Sequence, residues 1–251
     1  MRKPLLGALV VLAIIAAGGA GVWYLRYGRA VPTAPVSPPV AAAPAAPEAP
    51  PGLSTEESDA RVRALLAEVS SAPELAAWLK GVEDLVRRFT TAVSNIAEGE
   101  SPRTVLPFLA PQGGFQVAER EGRTFIAPES YARYDTVARV VTSLEAPKAA
   151  KAWRELKPLI DQAYAEIGRP GARFEQTLAQ AFQHLLEVPV PEGEVEVVKG
   201  QGILYTYANP EQEKLSAAQK HLLRMGPDNA RALQAKLREL QGALALPTAS
   251  R

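Results

Sequence analysis

Residues Pro4 to Leu25 carry no charged side chain. Wound as an α-helix, those 22 residues extend about 33 Å, slightly more than the roughly 30 Å hydrocarbon core of a bilayer. They are long enough to cross it. The run closes on Trp23 and Tyr24, whose rings suit the membrane-water boundary, and then Arg26. A cleaved export signal is the alternative, since Leu5 to Ala17 followed by Gly18, Gly19 and Ala20 copies an apolar centre with a small-residue cutting zone. Cutting there would leave Val22 to Leu25 behind as an apolar stub, so an uncleaved anchor is expected. Arg2 and Lys3 precede the span and Arg26 and Arg29 follow it, a slight bias toward a cytoplasmic N-terminus. The expected topology is a single pass through the inner membrane with the C-terminal part periplasmic.

Residues 30–52 hold eight prolines and eight alanines with one charge, Glu48. Proline at that density favours the polyproline II helix, which would reach roughly 70 Å at about 3.1 Å per residue. The chain therefore divides into an anchor with its flanks (1–29), a Pro/Ala-rich linker (30–52), a globular domain (53–246) and a short tail (247–251). Four of the 28 basic residues flank the anchor, leaving 24 against 27 acidic, so the body is slightly acidic. Such a body has no general electrostatic attraction for nucleic acid. Without cysteine there is no disulfide, thiolate metal site, thiol nucleophile or lipid-modified anchor.

Within the body, Ser54 and Glu57 form a capping-box pattern ahead of Val62, Leu65, Leu66 and Val69 at helical spacing. A second helix is predicted from about Val82, with Leu85, Val86, Phe89, Val93 and Ile96 on one face and Gly99 ending it. Phe115–Arg120 and Arg123–Ile126 flank Glu121-Gly122, the pattern of a hairpin. Pro128 opens one helix with a stripe from Tyr131 through Leu144, and Pro147 another, which Pro158 should kink before Gly168 stops it. Phe174, Leu178, Phe182 and Leu185 mark a further helix. A second hairpin is predicted from Val195–Val198 and Ile203–Tyr207, able to pair with the first. Two helices meeting at Gly226-Pro227 close the body, with Leu233, Leu237, Leu240 and Leu244 as a buried edge. The fold class expected is mainly α (α+β), a helical domain with one or two short hairpins after the transmembrane helix.

The segments Ser130–Asp135, His184–Leu186, Ile203–Tyr205 and Leu215–Leu240, "LSAAQKHLLRMGPDNARALQAKLREL", resemble the bacterial domain-of-unknown-function family 3014. The similarity runs from about Asp59 to Leu244 and is most specific from Gln219 to Pro227. The family's layout also has an N-terminal apolar segment and a proline-rich stretch. This chain departs from it at Val188–Gly202 and at Tyr207–Asn209. The resemblance implies no reaction, substrate, cofactor or catalytic residue.

Strong catalytic signatures are absent from the sequence: no Gly-x-Ser-x-Gly elbow, no phosphate-binding loop, no His-Glu-x-x-His. His184 and His221 each sit beside leucines on a predicted helix and read as capping or core-edge residues; no metal site or cofactor is implied. In "APESYARYD", Glu129 and Asp135 are the candidate catalytic carboxylates and Tyr131 and Tyr134 candidate binding residues. Helical lytic transglycosylases also use a Glu-Ser pair, but their Gly-Leu-Met-Gln signature is missing here. A glutamate beside a helix-opening proline more often complements the helix dipole. In "LRMGPDNAR", Arg224 and Asn229 could meet an anion at a tight corner. The expected function is a membrane-tethered binding or scaffolding module of the cell envelope, with envelope proteins or cell-wall polymer as partners. The alternative is a cell-wall glycan hydrolase acting through Glu129 or Asp135.

Overall fold

A computed structural model describes residues 53–168, 171–200 and 205–247. The anchor and linker expectations lie outside them. No helix among the described residues is long and apolar enough to cross a membrane.

Helix α1 (Thr55–Val69) opens on the predicted capping box: Ser54 Oγ accepts from the Glu57 N–H, and the Ser54 N–H donates to Glu57 at 2.9 Å. A short helix the sequence reading missed, α2 (Pro73–Leu79), follows. Helix α3 (Leu85–Ala97) starts three residues later than predicted. The cause is local. Asp84 adopts a left-handed conformation, φ 60°, and the buried Asp59 carboxylate of α1 accepts from the N–H groups of Asp84 and Leu85 at 2.9 and 2.8 Å. Those are two of the orphan donors of a helix start.

Gly99 ends α3 as predicted, and two 3-10 turns, Pro102–Thr104 and Pro107–Leu109, lead to the first hairpin. Strands β1 (Val117–Arg120) and β2 (Arg123–Ile126) pair Val117 with Ile126 and Arg120 with Arg123. Glu121 and Gly122 both have positive φ, 51° and 73°, the two-residue turn whose twist matches that of paired strands. The predicted first strand was too long, and Phe115 stands outside it, 40% exposed.

The single helix predicted after Pro128 is two, α4 (Pro128–Ala132) and α5 (Asp135–Thr142). At the break the Tyr134 N–H bonds back three residues to the Tyr131 carbonyl, tightening the turn and sending the Tyr134 ring into the core. Helix α6 (Ala146–Ile167) instead runs through Pro158. Pro158 and Arg154 are both exposed, so the carbonyl that proline leaves without a donor lies on the water side.

Helix α7 (Phe174–Leu186) packs on α3, and α6 lies against both. Phe174 meets Phe89, Tyr164 and Trp153 at ring-centroid distances of 5.4, 5.1 and 5.9 Å, and each such ring taken from water contributes about 2–3 kcal/mol. Strands β3 (Val197–Lys199) and β4 (Tyr205–Tyr207) form the second hairpin. The two hairpins remain separate two-stranded sheets, joined by one antiparallel bridge, Phe125 to Glu196, with the Ile126 N–H donating to the Val195 carbonyl. Three helices close the body: a single turn, α8 (Pro210–Glu213), then the predicted pair α9 (Ala217–Arg224) and α10 (Pro227–Ala243). Leu233, Leu237, Leu240 and Leu244 are buried as predicted. Buried Gln234 on α10 donates to the Leu185 and Val188 carbonyls at 3.0 Å, fastening it to the end of α7.

Candidate functional site

Two stretches singled out in the sequence, 130–135 and 224–229, fold against each other. The joint is Gly226, φ 89° and ψ 159°, a combination that only glycine holds without strain. The Tyr131 ring covers it so closely that a Cβ on Gly226 would stand 2.6 Å from Tyr131 Cγ. Beside it the Asn229 amide donates to the Asp135 carboxylate at 2.9 Å and to the Met225 carbonyl at 3.0 Å.

Around this joint gathers a set of aromatic and basic side chains. The Tyr134 ring meets the His221 ring edge-on, centroids 6.4 Å apart, and the Arg133 guanidinium lies 5.6 Å from the Tyr134 ring centre. Arg133 is braced by the Ser130 and Gly113 carbonyls, both at 3.1 Å. His221 is buried, with Nδ1 3.0 Å from Ser101 Oγ. Burial, then the positive charges of Arg224 and Arg103, push it down to about 3, so it stays neutral at ordinary pH. Tyr207 is buried on the same side; its hydroxyl donates to the Lys220 carbonyl at 3.3 Å. Burial raises the Tyr207 phenol while Arg224 pulls it the other way, and Tyr134 feels the same opposition of burial against Arg133 and Arg224.

Two members of the set are unsatisfied. Tyr131 Oη is the one buried side-chain polar atom among the described residues without a hydrogen-bond partner, and burial together with Glu194 pushes its phenol up to about 12. Arg224, partly buried, has no carboxylate within 4 Å among the described residues. Glu213, whose carboxyl its charge also lowers, is already held by Lys220 at 2.8 Å and by the Tyr207 N–H at 2.9 Å.

The candidate carboxylates are placed differently. Glu129 and Asp135 are both exposed, each in the first turn of its helix. Ser130, next to Glu129, is buried, donating to the Gln116 carbonyl at 2.7 Å and accepting from its N–H at 2.6 Å. It anchors the hairpin rather than presenting a hydroxyl. His184 Nε2 lies 2.7 Å from Ser216 Oγ, the cap of α9. The binding candidates Tyr131, Tyr134, Arg224 and Asn229 thus lie around one joint, with Tyr207, His221, Arg103 and Arg133, which the sequence reading did not place among site residues. Arg133 stands between Tyr131 and Tyr134, inside the Ala127–Asp135 motif. Arg103 carries no local signal.

The architecture is a mainly helical domain carrying two antiparallel hairpins. A family model described as "Protein of unknown function (DUF3014)" matches residues 85–241, more than half of the chain, and the protein belongs to that family. The match takes in β1 to β4 and every residue of the Tyr131–Arg224 joint. No curated protein and no solved structure matches the chain.

Proposed function

We propose that the protein is a membrane-tethered binding module of the cell envelope, held by residues 4–25, spaced by the Pro/Ala-rich linker, and engaging its partner at the Tyr131–Arg224 joint. The observation that supports this reading is a partly buried arginine with no carboxylate within 4 Å among the described residues, set among tyrosines, one of which has a buried hydroxyl without a hydrogen-bond partner among those residues. Tyrosine and arginine are the side chains that most often dominate binding surfaces. Hydrolysis is the weaker reading. A glycosidic acid needs shelter beside a cleft, and Glu129 and Asp135 stand in solvent.

A photo-crosslinking side chain at Ala132, exposed between Tyr131 and Arg133, tests the binding role in cells, with exposed Ala165 on α6 as the control. Discrete adducts from position 132 alone are expected; identical patterns from both positions, or none from 132, remove it. Alkaline phosphatase fused after Leu246, with membrane fractionation, tests the tether. An inactive fusion or a freely soluble chain rejects it. For the hydrolase reading, Glu129→Gln should abolish turnover of purified peptidoglycan, and activity that survives it, or is absent from the parent chain, ends that reading.

A further inference from the structure

About half of the described arginines of the body are answered by carboxylates, several of them on the open surface: Arg87 by Glu166, Arg139 by Glu74, Arg61 by Glu155, Arg120 by Glu194 and Arg123 by Glu196. Three partly buried arginines near the joint are not. Arg103, Arg133 and Arg224 have no carboxylate within 4 Å among the described residues. They arrive from three separate elements, the first 3-10 turn, the end of α4 and the last turn of α9, and their charges fall on one stack, Tyr134 against His221. Holding guanidinium groups partly out of water without an anion is unfavourable. The C-terminal dipole of α9 offsets only part of this for Arg224.

We propose that Arg103, Arg133 and Arg224 form an anion-binding face around the Tyr134–His221 stack, and that its ligand is an acidic peptide segment whose carboxylates pair with them. This rests on the binding-module reading and names its ligand class. A peptide fits better than a lone phosphate because the cations are distributed over three elements rather than gathered at one helix N-terminus or one nest of backbone N–H groups. It also fits because an apolar contact adjoins them. Phe115, two residues beyond the Gly113 carbonyl that holds Arg133, stacks on Tyr205 with centroids 5.7 Å apart. Tyr205 in turn shares a strand face with Tyr207. Arg133 spends its Nε and one amino group on carbonyls, and its second amino group makes no hydrogen bond among the described residues. The planar fork of each arginine suits a carboxylate.

The test is a fluorescein-labelled glutamate pentapeptide titrated against the full-length chain in detergent micelles, followed by anisotropy at two salt concentrations. Binding that weakens with salt is expected, falling at least tenfold in Arg224→Gln and by smaller factors in Arg103→Gln and Arg133→Gln. Arg87→Gln, on the bridged surface, should leave it unchanged. Arg224→Lys keeps the charge without the fork and guards against misfolding; it should bind between the parent and Arg224→Gln. Equal binding by Arg224→Gln, or no binding by the parent, overturns the proposal. So does binding to phosphatidylglycerol vesicles that depends on Arg224 while the peptide fails, since lipid phosphate would then be the ligand. If the peptide fails while adducts still form at position 132, only the anion assignment falls; if both vanish, the binding module falls with it.

Discussion

A buried carboxylate is answered at the α1–α3 junction, whereas a partly buried guanidinium has no ion pair among the described residues at the α9–α10 joint. Asp59 is almost wholly enclosed, yet its oxygens accept two backbone N–H groups and face Arg63 at 3.9 Å. Arg224 and the Tyr131 hydroxyl have no such answer among the described residues. The first region is polarity used to fix a fold, since Asp59 decides where α3 begins. The second is polarity without an internal partner among the described residues, which is what makes it a candidate for work outside the fold.

The contrast can be broken most forcefully at Gly226. Gly226→Ala meets both the Tyr131 ring and a backbone region closed to side chains, and should cost about 3–5 kcal/mol, read from urea denaturation. A loss under 1 kcal/mol would mean the joint is loosely packed. Next is Asp59→Ala, which orphans two N–H groups at the start of α3 and should cost about 2–3 kcal/mol; an unchanged midpoint would deny that Asp59 sets that start. Gln234→Leu strips the donor from two buried carbonyls and should cost about 1–3 kcal/mol, checked the same way.

Acid titration sharpens the comparison further. An unfolded histidine protonates near pH 6.5, whereas folded His221 resists down to about 3. As pH falls below about 6.5 the unfolded chain therefore takes up a proton that the folded chain refuses, and stability is lost by up to about 1.4 kcal/mol per pH unit. His184, also lowered by burial, adds in the same direction. Between pH 6.5 and 5, above the carboxylate range, His221→Asn should reduce this slope measurably; an unaltered slope would mean that His221 is protonated in the fold. The smallest effect is expected at Arg224 itself. Arg224→Gln should change stability by less than about 0.5 kcal/mol or raise it slightly, because no internal bond is lost. A large destabilisation would make that arginine a structural one.

Much of this was legible in the chain because the signals were local. Ser54 with Glu57, Glu121-Gly122 and Gly226-Pro227 each fix a helix start, a turn or a corner through atoms only a few residues apart, and each is where the sequence placed it. What failed depended on distant partners. The start of α3 moved because Asp59, far back on α1, supplies the donors' partner. The stripe from Tyr131 to Leu144 reads as one helix until the core claims the Tyr134 ring. The candidate site was half legible for the same reason: two motifs gave Tyr131, Tyr134, Arg224 and Asn229, but nothing near Arg103, Tyr207 or His221 announces that they converge on the same stack.

The fit of the Tyr131 ring over Gly226 ties two distant positions into one heritable unit. A lineage that gained a side chain at 226 would need to change the backbone there as well as shrink the residue at 131, losing the ring that covers the corner. Relatives that keep the pair should keep the arginine face, and relatives that have lost either half should have shed both together.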